Sequence, residues 1–179
     1  MPFTFKREPI EDVVLVEARS FGDSRGMFKE TFKKSEFEKF GLPYEFVQDN
    51  VSKSQENVLR GLHFQRNPYA QGKLVGVMSG EILDVAVDLR KNSPTYGKYV
   101  SEVLSDENHR LLWVPPGFAH GFLALKPSIV HYKVTNEYNK DSEGGIIWND
   151  PLVNVKWPIK EPLLSDKDQE WGTSEGIFL

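Results

Sequence analysis

The chain has 179 residues, a length that fits one domain with a sizeable buried core. Its 22 Lys and Arg against 26 Asp and Glu give a net charge of −4, which excludes a global basic field for nucleic acid and confines anionic ligands to a local basic site. With no cysteine there is no disulfide framework, no thiolate zinc site and no cysteine nucleophile, a composition that fits a reducing cytoplasm.

The N-terminus Met1-Pro2-Phe3-Thr4-Phe5-Lys6 has no apolar signal core, and runs such as Val13 to Val16 reach only four apolar residues. A soluble, unexported protein away from any membrane is expected. Val13 to Ala18 is the first predicted strand. Ser35 to Phe40 is a predicted helix with a Ser start and a Gly41 stop. Glu45 to Ser54 is the next strand; its Asn50-Val51-Ser52 matches a glycosylation triplet, but nothing in the chain points to secretion. Strands Lys73 to Ser79 and Glu81 to Leu89 are joined by a Ser79-Gly80 turn. In the second of these, Leu83, Val85, Val87 and Leu89 alternate with Ile82, Asp84, Ala86 and Asp88, which predicts one packed and one polar face. Tyr99 to Leu104, His120 to Leu125 and Ser128 to Thr135 complete the strands, and a short helix is expected around Ser165 to Glu170. Many short strands punctuated by Gly, Pro, Asn and Asp, with no repeat or linker, predict one all-β sandwich or barrel spanning residues 1–179.

Four histidines are candidates for chemistry: His63, His109, His120 and His131. His63 lies in Arg60-Gly61-Leu62-His63-Phe64-Gln65, where glycine lets backbone approach a ligand, and an imidazole titrates near neutrality as a general base must. From this segment alone, a catalytic and a packing role both stand. Strict alternation turns Arg60 and His63 to opposite faces; a bulge at Gly61 would bring them to the same one. Arg25, Arg60, Lys73 and Lys167 are candidate phosphate partners, each set against the simpler reading of solvated charge. Tyr132 and Tyr138 suit proton delivery or base stacking as well as packing.

Pro115-Pro116-Gly117-Phe118-Ala119-His120 resembles the second box of cupins. The first cupin box supplies two histidines one residue apart, where this chain has His63-Phe64-Gln65. A neutral amide at that position leaves a poor set for a transition metal, so no metal is expected. His120 then has a hydrogen-bonding role toward substrate or toward backbone.

Six blocks in order are similar to those of the dTDP-4-dehydrorhamnose 3,5-epimerases: Asp23-Ser24-Arg25-Gly26 with Phe28 and Glu30, Phe46 to Asn50, Leu59 to Gln65, Gln71 to Val75, Gly117 to Phe122, and Leu164 to Asp168. The resemblance runs nearly end to end. It implies a cupin-type jelly roll of two antiparallel sheets with a few short peripheral helices, and no cofactor. The implied reaction is epimerisation at C3 and C5 of dTDP-4-keto-6-deoxy-D-glucose, giving dTDP-4-keto-L-rhamnose for dTDP-L-rhamnose biosynthesis, through an enolate that the C4 ketone permits. By the same resemblance His63 is the base, Asp168 (or, failing it, Asp166) its orienting carboxylate, Lys73 the enolate stabiliser and Tyr132 the acid on the opposite face. Substrate contacts fall to Arg25, Glu30, Gln48, Asn50, Arg60, Lys73, His120, Glu143 and Lys167, with Tyr138 stacking on thymine. A homodimer with sheets extended across the interface is implied too. Met27, where an aromatic is frequent in the family, and His131, before Tyr132, depart from the family's wording and leave open whether both carbons are inverted. Two further readings are a metal-dependent cupin using His63, His120 and Glu56 or Asp84, and a carbohydrate-binding module without catalysis.

Overall fold

The computed structural model describes residues 1–43 and 45–179. In chain order the described elements are β1 (Phe3–Arg7), β2 (Val14–Ala18), β3 (Ser20–Asp23), β4 (Gly26–Lys29), α1 (Lys34–Phe40), β5 (Gln48–Ser54), β6 (Leu59–Gln65), β7 (Lys73–Ser79), β8 (Glu81–Asp88), β9 (Tyr99–Ser105), β10 (Arg110–Val114), β11 (Phe118–Ala124), β12 (Ser128–Val134), β13 (Glu143–Gly145) and α2 (Asp166–Glu170). They build a six-stranded sheet, β1-β2-β10-β7-β12-β5, a five-stranded sheet, β13-β6-β11-β8-β9, and a separate β3-β4 ribbon. Neighbouring strands are antiparallel throughout. This is the expected all-β jelly roll of two sheets with short peripheral helices.

Apolar side chains fill three layers rather than one. Between the sheets, Leu15, Val75, Val77, Leu112 and Val130 meet Ile82, Ala86, Leu104 and Phe122. Outside the six-stranded sheet, Val14, Val16, Leu74, Leu111 and Trp113 pack under α1, whose Phe37 is fully buried among Phe3, Phe5 and Phe32. Outside the five-stranded sheet, Leu62, Phe64, Val85, Val87 and Ala119 are covered by Ile146, Val153 and Val155 and, at its edge, by Ile177 and Leu179.

The third layer overturns the predicted polar face of β8. Leu83, Val85 and Val87 point outward under the C-terminal segment, and the carboxylates that alternate with them are buried: Asp84 and Asp88 are both 0% exposed. Asp88 is stabilised there by bonds from Arg90, Ser93 and Thr95; burial opposes its charge, but these partners hold its pKa down to about 2. Smaller differences have equally local causes. Helix α1 starts one residue before Ser35 with Lys33 at its cap, because burial of Phe37 fixes it more than a capping hydroxyl does, while Gly41 ends it in the left-handed region as expected. The strand expected from Glu45 begins at Gln48, since Phe46 packs on Phe32 and Trp113 instead of joining the sheet.

Candidate active site

The site is built around a defect in β6. His63 pairs with His120 of β11, whereas Arg60 pairs with Phe122, so three steps along β6 match two along β11. The extra residue is the bulge expected at Gly61, and it brings Arg60 and His63 into one cavity. Gly61 has φ of +113°, and a Cβ there would stand 2.7 Å from both the Gly121 Cα and the His120 carbonyl oxygen. Glycine meets both demands, positive φ and close approach of two backbones.

This cavity, of about 250 Å³, lies between the two sheets. The five-stranded sheet contributes Arg60, His63, His120 and Glu143; the six-stranded sheet contributes Ser52, Lys73 and Tyr132; α2 and its cap contribute Ser165, Lys167 and Asp168. A second lobe of about 300 Å³ shares His63, Lys73, Tyr132 and Glu143 and adds Gln48, Asn50 and Tyr138. His63 and Tyr132 therefore line the same cavity from different sheets.

His63 Nε2 is hydrogen-bonded to Asp168, and Asp166, the alternative partner, does not line the cavity. Asp168 is itself fixed by the start of α2: Ser165 caps the helix by accepting from the Asp168 amide, and its hydroxyl donates to Asp168 Oδ2 at 2.9 Å. Burial opposes ionisation of Asp168, but the hydrogen bond and charge of His63 and the Ser165 bond outweigh it and hold the carboxyl below its ordinary value. Trp171 sets its ring edge against the His63 ring at 6.2 Å.

Lys73 reaches the His63 carbonyl oxygen at 3.4 Å. Burial lowers its pKa from 10.5 to about 8, against the charges of Asp84 and Glu143, which favour the ammonium. Burial also raises the Tyr132 pKa, opposed by Arg60, so this phenol keeps its proton. At the mouth, Glu143 Oε2 accepts from Lys167 Nζ at 2.5 Å and from Tyr138 Oη at 2.7 Å, while Gln48 holds Asn50 and the Tyr138 amide. Thus His63, Lys73, Tyr132, Asp168, Gln48, Asn50, Arg60, His120, Tyr138, Glu143 and Lys167 converge. Arg25 and Glu30 do not. Arg25 is paired with Asp23 on the β3-β4 ribbon with its side chain 88% exposed, and Glu30 lies near Lys33 just beyond it.

Two groups of the site, one behind the cavity wall and one lining it, were not assigned substrate roles from the sequence. Asp84 accepts from His120 Nε2 at 2.7 Å, and the buried Ser52 hydroxyl faces the cavity with no partner among the described residues. The alternation of β8 contained the signal for Asp84, but covering of both faces reversed its meaning. The metal reading fares poorly on donor geometry. His63 and His120 each give Nε2 to a carboxylate, Gln65 is spent on the Tyr69 and Glu137 carbonyls and the Asn139 amide, and Glu56 is exposed in a turn. Among the described residues, no three His, Cys, Asp or Glu side chains are grouped to hold a metal ion.

Residues 7–175 match the family model described as dTDP-4-dehydrorhamnose 3,5-epimerase. The chain belongs to the dTDP-4-dehydrorhamnose 3,5-epimerase family. It is 55% identical over 161 residues to the dTDP-4-dehydrorhamnose 3,5-epimerase of Shigella flexneri, covering 89% of each chain. The family member from Sulfolobus tokodaii, a dTDP-4-dehydrorhamnose 3,5-epimerase of solved structure, superposes with a TM-score of 0.93 at 48% identity over 99% of both chains. The 3,5-epimerase of Legionella pneumophila, solved in complex with dTDP-4-keto-L-rhamnose, superposes with a TM-score of 0.94 at 43% identity, covering 98% of this chain and 94% of that one.

Proposed function

We propose that the chain epimerises dTDP-4-keto-6-deoxy-D-glucose at C3 and C5 to dTDP-4-keto-L-rhamnose, within dTDP-L-rhamnose biosynthesis. The observation that carries this reading is that His63, held by Asp168, lines the cavity from one sheet while Tyr132 and Lys73 line it from the other. Inversion at a carbon needs a base on one side of the ring and an acid on the other, and opposed sheets supply both. Asp168 fixes the imidazole and stabilises its charged form once it has taken the proton. Lys73 meets the negative charge that develops on the C4 oxygen, from a partly buried position where a fixed cation is more effective than in open solvent. Tyr132 returns a proton from the far side. No redox step occurs; one C–H bond breaks and one forms at each inverted carbon.

Arg60, His120 and Lys167 form the basic side of the pocket that takes the diphosphate and sugar, with Gln48, Asn50 and Glu143 as polar contacts and Tyr138 as the stacking surface for thymine. Arg25 and Glu30 join the substrate only if a second copy presents its β3-β4 ribbon to this cavity. That ribbon carries Phe21, Met27 and Phe28 exposed, the last at 66%, as expected of a segment covered in a homodimer. We assign the enzyme to the cytoplasm on its lack of cysteine; among the described residues no helix is long and apolar enough to cross a membrane.

Incubation with dTDP-4-keto-6-deoxy-D-glucose in deuterated water tests the activity. Deuterium at both C3 and C5 of the product is expected, and none after His63→Ala. Incorporation at one carbon only would reduce the activity to mono-epimerisation. Exchange at the wild-type rate in the His63 variant would remove it from the role of base.

A further inference from the structure

Asp84 sits in the middle of β8 on its inward face, 0% exposed, among Ile82, Ala86, Phe122 and other apolar residues of the core between the sheets. A carboxylate in such surroundings is costly unless its charge is compensated and its oxygens are bonded. Its Oδ1 accepts from His120 Nε2 at 2.7 Å, but its Oδ2 is buried with no hydrogen-bond partner among the described residues. A merely structural partner for His120 needs no charge, since an amide oxygen would accept the same bond. The charge has another use. Both His120 and Lys73 line the cavity, and Asp84 lies behind them close enough to interact electrostatically with the Lys73 ammonium. With Nε2 of His120 committed to the wall, Nδ1 is the nitrogen left for a ligand.

We propose that Asp84 is a positioning residue of the epimerase reaction, fixing the His120 ring from behind the cavity and supplying the buried counter-charge for the Lys73 ammonium. It does not touch the substrate. This rests on the reading of Lys73 as the cation that meets the developing enolate. The charged and titratable groups that share the cavity with that lysine are Glu143 from β13, Arg60 and His63 from β6, His120 from β11, Tyr132 from β12, and Lys167 and Asp168 from α2, with Asp84 of β8 behind His120. Of these, Asp84 and Glu143 favour its protonation, against a larger opposing effect of burial. Removing the Asp84 charge makes the ammonium give up its proton at lower pH.

The test compares pH profiles of kcat for the wild type, Asp84→Asn, Asp84→Glu and Lys73→Arg, using deuterium incorporation from solvent, with thermal melts to verify folding. Wild-type kcat is expected to fall through an alkaline limb near pH 8, where Lys73 titrates. In Asp84→Asn the limb moves down by about one pH unit, the effect expected of losing one nearby opposite charge, so kcat near pH 6 is largely kept and at pH 8 falls several-fold. Asp84→Glu retains the charge and keeps the limb near its wild-type position while KM rises through a displaced His120. The proposal is overturned if Asp84→Asn keeps the wild-type limb, or if its kcat drops equally at every pH, either of which makes Asp84 a packing residue. If Asp84→Asn fails to fold, a limb in Asp84→Glu displaced downward by about one unit also overturns it. Lys73→Arg separates the two readings, because it should abolish the limb; a limb persisting there belongs to another group and refutes the role of Lys73 itself.

Discussion

Replacing Lys73 by methionine should inactivate the enzyme and stabilise the fold at the same time. Methionine keeps the length of the side chain but removes a charge that the site holds against its preference: burial brings the pKa of Lys73 from 10.5 to about 8. Each pKa unit corresponds to about 1.4 kcal/mol, so the full displacement amounts to about 3 kcal/mol against the folded state at neutral pH. Access of the side chain to cavity water reduces the working figure to about 2 kcal/mol. For a domain of this size that is a rise in Tm of about 4–8 °C. The pH dependence has a definite sign. Between pH 8 and 10.5 the unfolded chain holds the lysine proton and the folded chain has lost it, so wild-type stability climbs with pH and the advantage of the variant shrinks across that window. Calorimetric melts of both proteins at about pH 7 and about pH 9.5 measure the gap, and turnover should fall by about a hundredfold or more. An equal or lower Tm for Lys73→Met at pH 7, or a gap that does not change with pH, would refute the assignment of Lys73 as a destabilised cation.

Asp168→Asn keeps a hydrogen-bonding atom beside His63 but removes the charge, so kcat should drop by about a hundredfold to ten-thousandfold with little change in KM; a drop smaller than about tenfold means that His63 needs no carboxylate. Gly61→Ala places a Cβ 2.7 Å from the Gly121 Cα at φ of +113°, which should lower urea stability by about 2 kcal/mol or more; a change within about 0.5 kcal/mol contradicts the close packing of the bulge. Arg25→Ala and His63→Ala, each inactive or weak alone, should regain activity when mixed and refolded together, because a mixed dimer has one pocket with both residues intact. No recovery at any ratio would count against completion of the pocket by a second copy.

Much of this protein was legible in the sequence because the features concerned are local. The Gly41 stop and the short helix after Ser165 depend on a few neighbouring residues, and the need for a bulge followed from requiring Arg60 and His63 on one face of the same strand. Residue types with intrinsic chemistry, an imidazole and a lysine in separate blocks and a phenol outside them, marked the candidates before any contact was known. What the sequence could not determine was which faces are covered and which distant groups meet. The alternation of β8 was read correctly in period and wrongly in meaning, because the C-terminal segment covers the outer face and turns Asp84 inward, where its charge acts on Lys73 and His120. Asp168 reaches His63 from 105 residues away, a pairing set by the docking of α2 against β6 and by no local pattern. Burial, which lowers the Lys73 pKa and keeps the proton on Tyr132, is a property of the closed space between two sheets, and it exists only once they have packed.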